Sequence, residues 1–169
     1  FRMPLAIRIG TADGDIVTRV DLEQREQVIH VAEVHSAPTM VIFDDGNTIL
    51  KTLSFPQPTA WLAEQLTRDP DLWNRAWVID QLRSRKRDAE AVSALAHAAT
   101  RADYFLTRVH AAEALEGIEG AEVASALLAA SGDTSAHVRA AAISSLLSAR
   151  SREAMARARE LWERDTSYP

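Results

Sequence analysis

Histidine is the side chain best suited to bind a metal ion or to transfer protons near neutral pH, and this sequence has five histidines. A zinc site of the His-Glu-x-x-His type needs two imidazoles one helical turn apart and a glutamate that activates the metal-bound water. His30 and His35 have a different spacing and lie where alternating apolar residues favour a strand. We therefore expect no metal site in this chain, and His97, His110 and His137 are interpreted as ordinary surface or partly buried residues.

The sequence also gives no sign of nucleophilic catalysis. It contains no cysteine, which excludes disulfides and cysteine-ligated zinc. Serine, histidine and aspartate are present, but no Gly-x-Ser-x-Gly segment forms a nucleophile elbow. We therefore expect no catalytic residues and no resident cofactor, and this chain alone is not predicted to be an enzyme.

Composition and charge narrow the classes of partner. The 169 residues are 47% apolar and 25% charged, which is typical of a globular protein. The formal net charge of −5 gives no reason to expect nucleic-acid binding. No apolar run is long enough to span a bilayer and no signal-peptide pattern is present, so we expect no membrane partner. The compartment, cytoplasmic or periplasmic, stays open.

Apolar residues in the first 56 positions recur with a period of two, which predicts half-buried strands. Alternating or β-branched stretches lie near residues 5–9, 16–22, 27–31 and 39–43, and Asp13-Gly14 is a hairpin signal. The predicted fold of residues 1–56 is a small, incomplete antiparallel β-sandwich. Because so few strands leave sheet edges unpaired, a homodimer through these edges is a further hypothesis.

Residues 57–169 change to a helical period after Pro56 and Pro58, and Asp69-Pro70 is predicted to start a helix. The helical pattern repeats. Each block has an aspartate, then an arginine, then a leucine seven residues after that arginine, and the arginines are 33 and 31 residues apart. The aspartates are Asp71, Asp103 and Asp133, the arginines are Arg75, Arg108 and Arg139, and the leucines are Leu82, Leu115 and Leu146.

This pattern resembles HEAT repeats. It predicts an α+β chain in which an all-α solenoid follows the β part, with three helix pairs and a lone C-terminal helix over residues 152–164 that carries Met155, Leu161 and Trp162. The resemblance also implies a ladder between repeats, formed by the three arginines and three aspartates named above. The spacing from aspartate to arginine varies from four to six residues, so the ladder role is less firmly implied for the aspartates than for the arginines.

A second resemblance covers essentially the whole chain. The segment Phe-Arg-Met-Pro-Leu-Ala-Ile at residues 1–7 looks like a strand of the β-sandwich domain of M1-family zinc aminopeptidases. Pro38 and the segment Val-Ile-Phe-Asp-Asp-Gly-Asn-Thr-Ile-Leu-Lys at residues 41–51 look like the last strand and exit turn of that domain, except that Asp45 stands where proline is common. In that family a helical domain, often of HEAT-like pairs, follows directly.

The M1 resemblance implies a non-catalytic C-terminal module. It would buttress and enclose the substrate cavity of a catalytic domain that is absent from this chain, and the zinc would belong to that domain. The partner is then the catalytic domain of the same polypeptide. The alternative is a stand-alone HEAT-repeat scaffold that binds another protein.

Two other clusters each have two interpretations. Trp61, Trp73 and Trp77 could line a ligand groove, but packing of the first helix pair against the β part, as a domain joint, is favoured. The basic residues between two predicted helices could contact an anion, but a solvated helix C-terminus that favours cations is the preferred interpretation. These residues are Arg83, Arg85, Lys86 and Arg87.

Overall fold

A computed structural model describes residues 2–148, 155–157, 159–160 and 163. The chain forms two compact units, Phe1–Asn74 and Arg75–Pro169, called here the N-terminal and the C-terminal unit. The described part combines an antiparallel sheet with helices, which confirms the α+β class. The domain boundary predicted at residues 56 and 57 stays a prediction.

The sheet of the N-terminal unit has three strands, β1 (Met3–Thr11), β2 (Gly14–Leu22) and β3 (Pro38–Phe43), in the order β2-β1-β3. Both neighbouring pairs are antiparallel. The predicted hairpin is confirmed, because Thr11 pairs with Gly14 across a two-residue loop. The described residues form this one sheet, so the predicted sandwich is not confirmed.

The strand predicted at residues 27–31 is wrong, since this segment joins no ladder. Gln27 gives the physical reason. Its amide donates to the carbonyl of Asp21 at 2.8 Å and accepts from the amide of Glu23 at 3.0 Å. The side chain thus occupies one backbone group at the end of β2 and one just after it, which a further strand would need.

One face of the sheet packs against helix α1 (Thr59–Arg68), which contacts β3. Met40 and Ile42 point to this face and are buried. Gly10 lies opposite Met40, and an added Cβ there would come within 3.2 Å of the Met40 side chain. This close approach is why a residue without a side chain stands in the middle of the sheet.

Helix α2 (Leu72–Arg83) begins later than predicted. Asp69 ends α1 rather than starting α2. Asp71 is the residue that caps α2, because its Oδ1 accepts from the amides of Trp73 at 2.8 Å and Asn74 at 3.0 Å. Pro70 therefore precedes the cap and does not occupy the first helical position.

Four further helices follow, α3 (Ala89–Arg101), α4 (Phe105–Ala114), α5 (Ala121–Ala130) and α6 (Ala136–Ser148). In the C-terminal unit, α3 packs on α5 and α4 packs on α6, so the first and second helices of the repeats form two layers. The predicted leucines Leu115 and Leu146 are buried together with many alanines, which allow the helices to approach closely.

The predicted C-terminal helix is only partly described. Residues 155–157, 159–160 and 163 are helical, and Met155 is 61% exposed. Arg157 donates from Nε to the hydroxyl of Ser131 at 2.9 Å and so contacts the end of α5. Leu161 and Trp162 lie outside the described residues.

Candidate functional site

The predicted ladder residues of the C-terminal unit form ion pairs from one repeat to the next. Arg75 of α2 pairs with Asp103, which lies in the turn before α4. Arg108 of α4 pairs with Asp133, which lies before α6, at 2.7 Å from Nε to Oδ2 and 3.0 Å from Nη2 to Oδ1. Each arginine thus reaches the aspartate of the following repeat. Two parallel bonds of this kind fix the guanidinium in one orientation.

Arg108 and Arg139 also bind main-chain oxygens just before their own helices. Arg108 Nη1 donates to the carbonyls of Ala102 at 2.8 Å and Asp103 at 3.1 Å. Arg139 repeats this arrangement with the carbonyls of Asp133 at 2.8 Å and Thr134 at 3.1 Å. Arginines at equivalent positions of two repeats therefore make equivalent hydrogen bonds to the main chain.

The aspartates differ in their surroundings. A hydrogen bond from Arg75 lowers the pKa of Asp103, and one from Arg108 lowers the pKa of Asp133. The side chain of Asp133 is 11% exposed, whereas that of Asp103 is 76% exposed. Asp71 has another role in the N-terminal unit, where it caps α2 and accepts from the Asn47 amide at 3.0 Å.

The three tryptophans predicted to form a joint have different exposures. Trp61 and Trp77 are half-buried. Trp73 is 81% exposed, because it lies in the first turn of α2 on the side that faces solvent. The high exposure of Trp73 gives no support to a packing role for this residue, and the joint stays a prediction for all three tryptophans.

The basic cluster follows α2, and Arg83, Lys86 and Arg87 are exposed. Lys86 donates from Nζ to the carbonyl of Glu116, just after α4, at 3.3 Å. A cation at a helix C-terminus is favoured by the helix dipole, as the preferred interpretation of this cluster requires. Whether the cluster also contacts an anion stays open as a prediction.

The turn that carries the M1 resemblance is built around Asp44. Asp44 is fully buried and adopts a positive φ of 57°. Its carboxylate accepts from the amides of Thr48 and Ile49 and from Lys51 Nζ at 2.7 Å. Burial raises the pKa of Asp44. The hydrogen bonds from Lys51, from the Thr48 hydroxyl and from the two amides have a larger, opposite effect and lower the pKa to about 2. Hydrogen bonds and an ion pair to the buried Asp44 carboxylate thus hold this turn in one conformation.

Two grooves open in the C-terminal unit. One, of about 650 Å³, lies between α3 and α5 and is lined mainly by small and polar side chains, among them Ser93, His97 and Ser125. The other, of about 280 Å³, lies between α2 and α4 and is lined in part by Asp80, Arg83 and Glu113. Among the described residues no group of three or more His, Asp or Glu side chains could hold a metal ion.

Two large apolar residues are exposed in the same helical layer as the second of these grooves. Leu106 of α4 is 39% exposed and Leu147 of α6 is 37% exposed. Both lie in the layer of second helices. We call the solvent-facing side chains of this layer the second-helix surface; its members are Asp80, Arg83, Leu106, His110, Glu113, Ser144 and Leu147. The sequence pattern does not reveal this surface, because Arg83, His110 and the two leucines lie far apart in the sequence and come together only in the stacked helices.

Comparison with known families decides the class of the helical part. The family model for HEAT repeats matches residues 59–147. The chain belongs to the HEAT-repeat family. The match begins with α1 and extends almost to the end of α6. Comparison with curated proteins and with solved structures finds no match. Within the described residues, no helix of this HEAT-repeat chain has both the length and the apolar character needed to cross a membrane.

Proposed function

We propose that this chain is a non-catalytic HEAT-repeat scaffold that binds a protein partner on the second-helix surface. One observation carries this proposal: Leu106 and Leu147 are exposed in the same helical layer as the groove between α2 and α4. Stacked helix pairs commonly present such extended surfaces to partners. Partly exposed apolar side chains with charged neighbours are typical of protein-binding sites.

The groove indicates the chemistry of the partner. Asp80 and Glu113 contribute carboxylates, and Ala76 and Ala114 leave room for an inserted side chain. A segment with an apolar anchor and a neighbouring lysine or arginine fits this combination. The ladder supports such a role, because Arg108 and Asp133 hold α4 against the next repeat and so keep the surface rigid before binding.

The proposal is tested by affinity capture from a lysate, with the full chain as bait and quantitative mass spectrometry as readout. A partner is accepted only if it is lost with Leu106→Glu. The matched control is Ser125→Glu, which adds the same charge to an exposed position between α3 and α5. Retention with the control and loss with Leu106→Glu support the second-helix surface. Equal retention by both variants contradicts it.

The second candidate function is the C-terminal module of an M1-type metallopeptidase. The observation in its favour is the segment at residues 43–51, built around the buried Asp44, from which the chain continues to α1. In this case the partner is a zinc-bearing catalytic domain. Reading the coding sequence upstream of Phe1 tests it, because an M1 enzyme requires His-Glu-x-x-His there.

A further inference from the structure

The strand β2 lies at the edge of the sheet, and its outward-facing backbone groups can be identified. The amide of Asp45 donates to the carbonyl of Ala6 at 2.8 Å, so the even-numbered residues of β1 direct their backbone groups towards β3. The odd-numbered residues then face β2, where Ile7 pairs with Thr18. Consequently the backbone groups of Asp15, Val17, Arg19 and Asp21 point away from the sheet.

Charged side chains and a hydrogen bond from Gln27 to the carbonyl of Asp21 protect this edge in part, but other common protections are missing. β2 is nine residues long, contains no proline, and pairs with β1 without a register shift. The irregularity at Gly10 and Thr11 lies on the β3 side instead. Val17 is 52% exposed, and no strand in the described part of the chain covers the outer side of β2. Such an edge is a template for another strand.

We propose that the strand pairing with this edge is β2 of a second copy of the chain, antiparallel and centred on Val17. In this register Val17 faces Val17 of the other copy, and Asp15 faces Arg19 twice, once on each side of the two-fold axis. Alternation places both of these side chains on the same face of the sheet. Cross-strand pairs of opposite charge stabilise a ladder.

The other registers oppose like charges or shorten the pairing. Centring on Thr18 places Asp15 opposite Asp21, and centring on Arg19 places two guanidinium groups face to face. Centring on Val20 would pair Arg19 with Asp21 but would shorten the overlap to residues 18–22. The Val17 register overlaps over residues 14–20.

At the ends of the proposed register, Asp21 lies opposite Asp13 of the other copy. Arg2 pairs with Asp21, which reduces this repulsion. Arg19 is exposed and makes no ion pair among the described residues, so it is available to the second copy. Asp15 contacts Arg8 and Arg68 of its own chain, and Arg19 of the second copy would be a further cation beside it. The dimer would be confined to the N-terminal unit and does not depend on the second-helix surface.

Cysteine cross-linking tests the register directly, because the chain has no cysteine of its own. In a hydrogen-bonded antiparallel pair the Cα atoms are about 5.5 Å apart, which is within the range of a disulfide. Val17→Cys should therefore form a covalent dimer under mild oxidation. Arg19→Cys should not, because the two copies of residue 19 would be roughly 13 Å apart along the strands.

Sedimentation of the full chain tests the charges. Arg19→Glu replaces both attractive pairs by repulsive ones and should weaken the dimer about tenfold. The control Arg25→Glu makes the same charge change at an exposed position after β2 and should leave the dimer unchanged. A wild-type chain that stays monomeric at high concentration, or equal cross-linking of Val17→Cys and Arg19→Cys, overturns the proposal.

Discussion

Arg108 binds Asp133 through two nearly parallel hydrogen bonds, and both side chains are largely shielded from solvent. The two residues belong to successive repeats and lie 25 positions apart in the sequence. Because Arg108 also holds two carbonyls before its own helix, its guanidinium connects the start of α4 to the start of α6. The ladder is thus a joint between helix starts as well as an ion pair.

Replacement of Arg108 should destabilise the C-terminal unit more than loss of a surface charge. Arg108→Ala leaves the Asp133 carboxylate and two carbonyls without their donor, and we expect a loss of about 2 to 4 kcal/mol in the free energy of unfolding. Urea denaturation followed by circular dichroism measures it. Arg101→Ala is the control, since Arg101 is exposed and makes no ion pair among the described residues, and it should cost less than about 0.5 kcal/mol. Equal losses would contradict the role of the ladder.

The two ladder aspartates should differ in their contribution. Asp133 is shielded, receives two bonds from Arg108 and accepts from the amide of Ser135 at 2.8 Å. Asp133→Ala should therefore lower stability by about 2 kcal/mol. Asp103 is mostly exposed and water can replace it beside the buried Arg75, so Asp103→Ala should have a smaller effect than Asp133→Ala. Thermal unfolding of both variants compares them, and a larger effect of Asp103→Ala would refute this ranking.

The repeat was predictable from sequence because each helix pair must bury an equivalent apolar stripe against its neighbour, which requires similar residues at equivalent positions. Arginine and leucine recur at a fixed interval, which marks the second helix of each pair. The resemblance to HEAT repeats implies a ladder between repeats, but the choice of the following repeat's aspartate as the partner of Arg108 was not predictable from the spacing. This choice of partner depends on how far one repeat is displaced from its neighbour. The number of residues between aspartate and arginine within one repeat gives no information on that displacement.

The errors have local causes. Asp69 and Asp71 are both suitable caps on either side of a proline, and only the tertiary bond from Asn47 and the position of Leu72 distinguish them. The alternation at residues 27–31 is as regular as in β2. The side chain of Gln27, however, forms hydrogen bonds with the Asp21 carbonyl and the Glu23 amide, which a further strand would need. Trp73 falls near the first helix pair in the sequence, which suggests a joint with the β part, but this position does not show that its side chain is 81% exposed.

The cap at Asp71 gives a prediction for the N-terminal unit. Asp71→Ala removes the acceptor for two amides at the start of α2 and should cost about 1 kcal/mol. Asp71→Ser retains an oxygen that can cap and should recover most of this loss. Hydrogen exchange of the Trp73 and Asn74 amides by NMR is the direct measurement. Unchanged protection in Asp71→Ala would show that the cap is not needed.

The buried carboxylate of Asp44 predicts a loss of stability in acid. Its pKa in the folded chain is about 2, below the ordinary value of 3.8. A lowered pKa stabilises the fold above pH 4, and this contribution disappears as the pH falls from about 4 to about 2. The shift corresponds to roughly 2 kcal/mol in the free energy of unfolding.

Asp44→Asn separates this charge effect from backbone strain. Asparagine tolerates the positive φ at this position, whereas it cannot form the ion pair with Lys51. We expect the variant to be less stable at neutral pH by roughly 2 kcal/mol and to lose the acid-dependent part of its unfolding curve between pH 4 and 2. Urea denaturation across this range, with carboxyl-carbon NMR of Asp44 in the wild type, makes the measurement.

Asp45→Asn is the control. Asp45 lies in the same turn as Asp44 and pairs with Arg8 at 2.9 Å, but its side chain is not fully buried. If Asp44→Asn keeps the wild-type pH dependence, the acid sensitivity arises from other carboxylates and the stabilising role assigned to Asp44 is wrong.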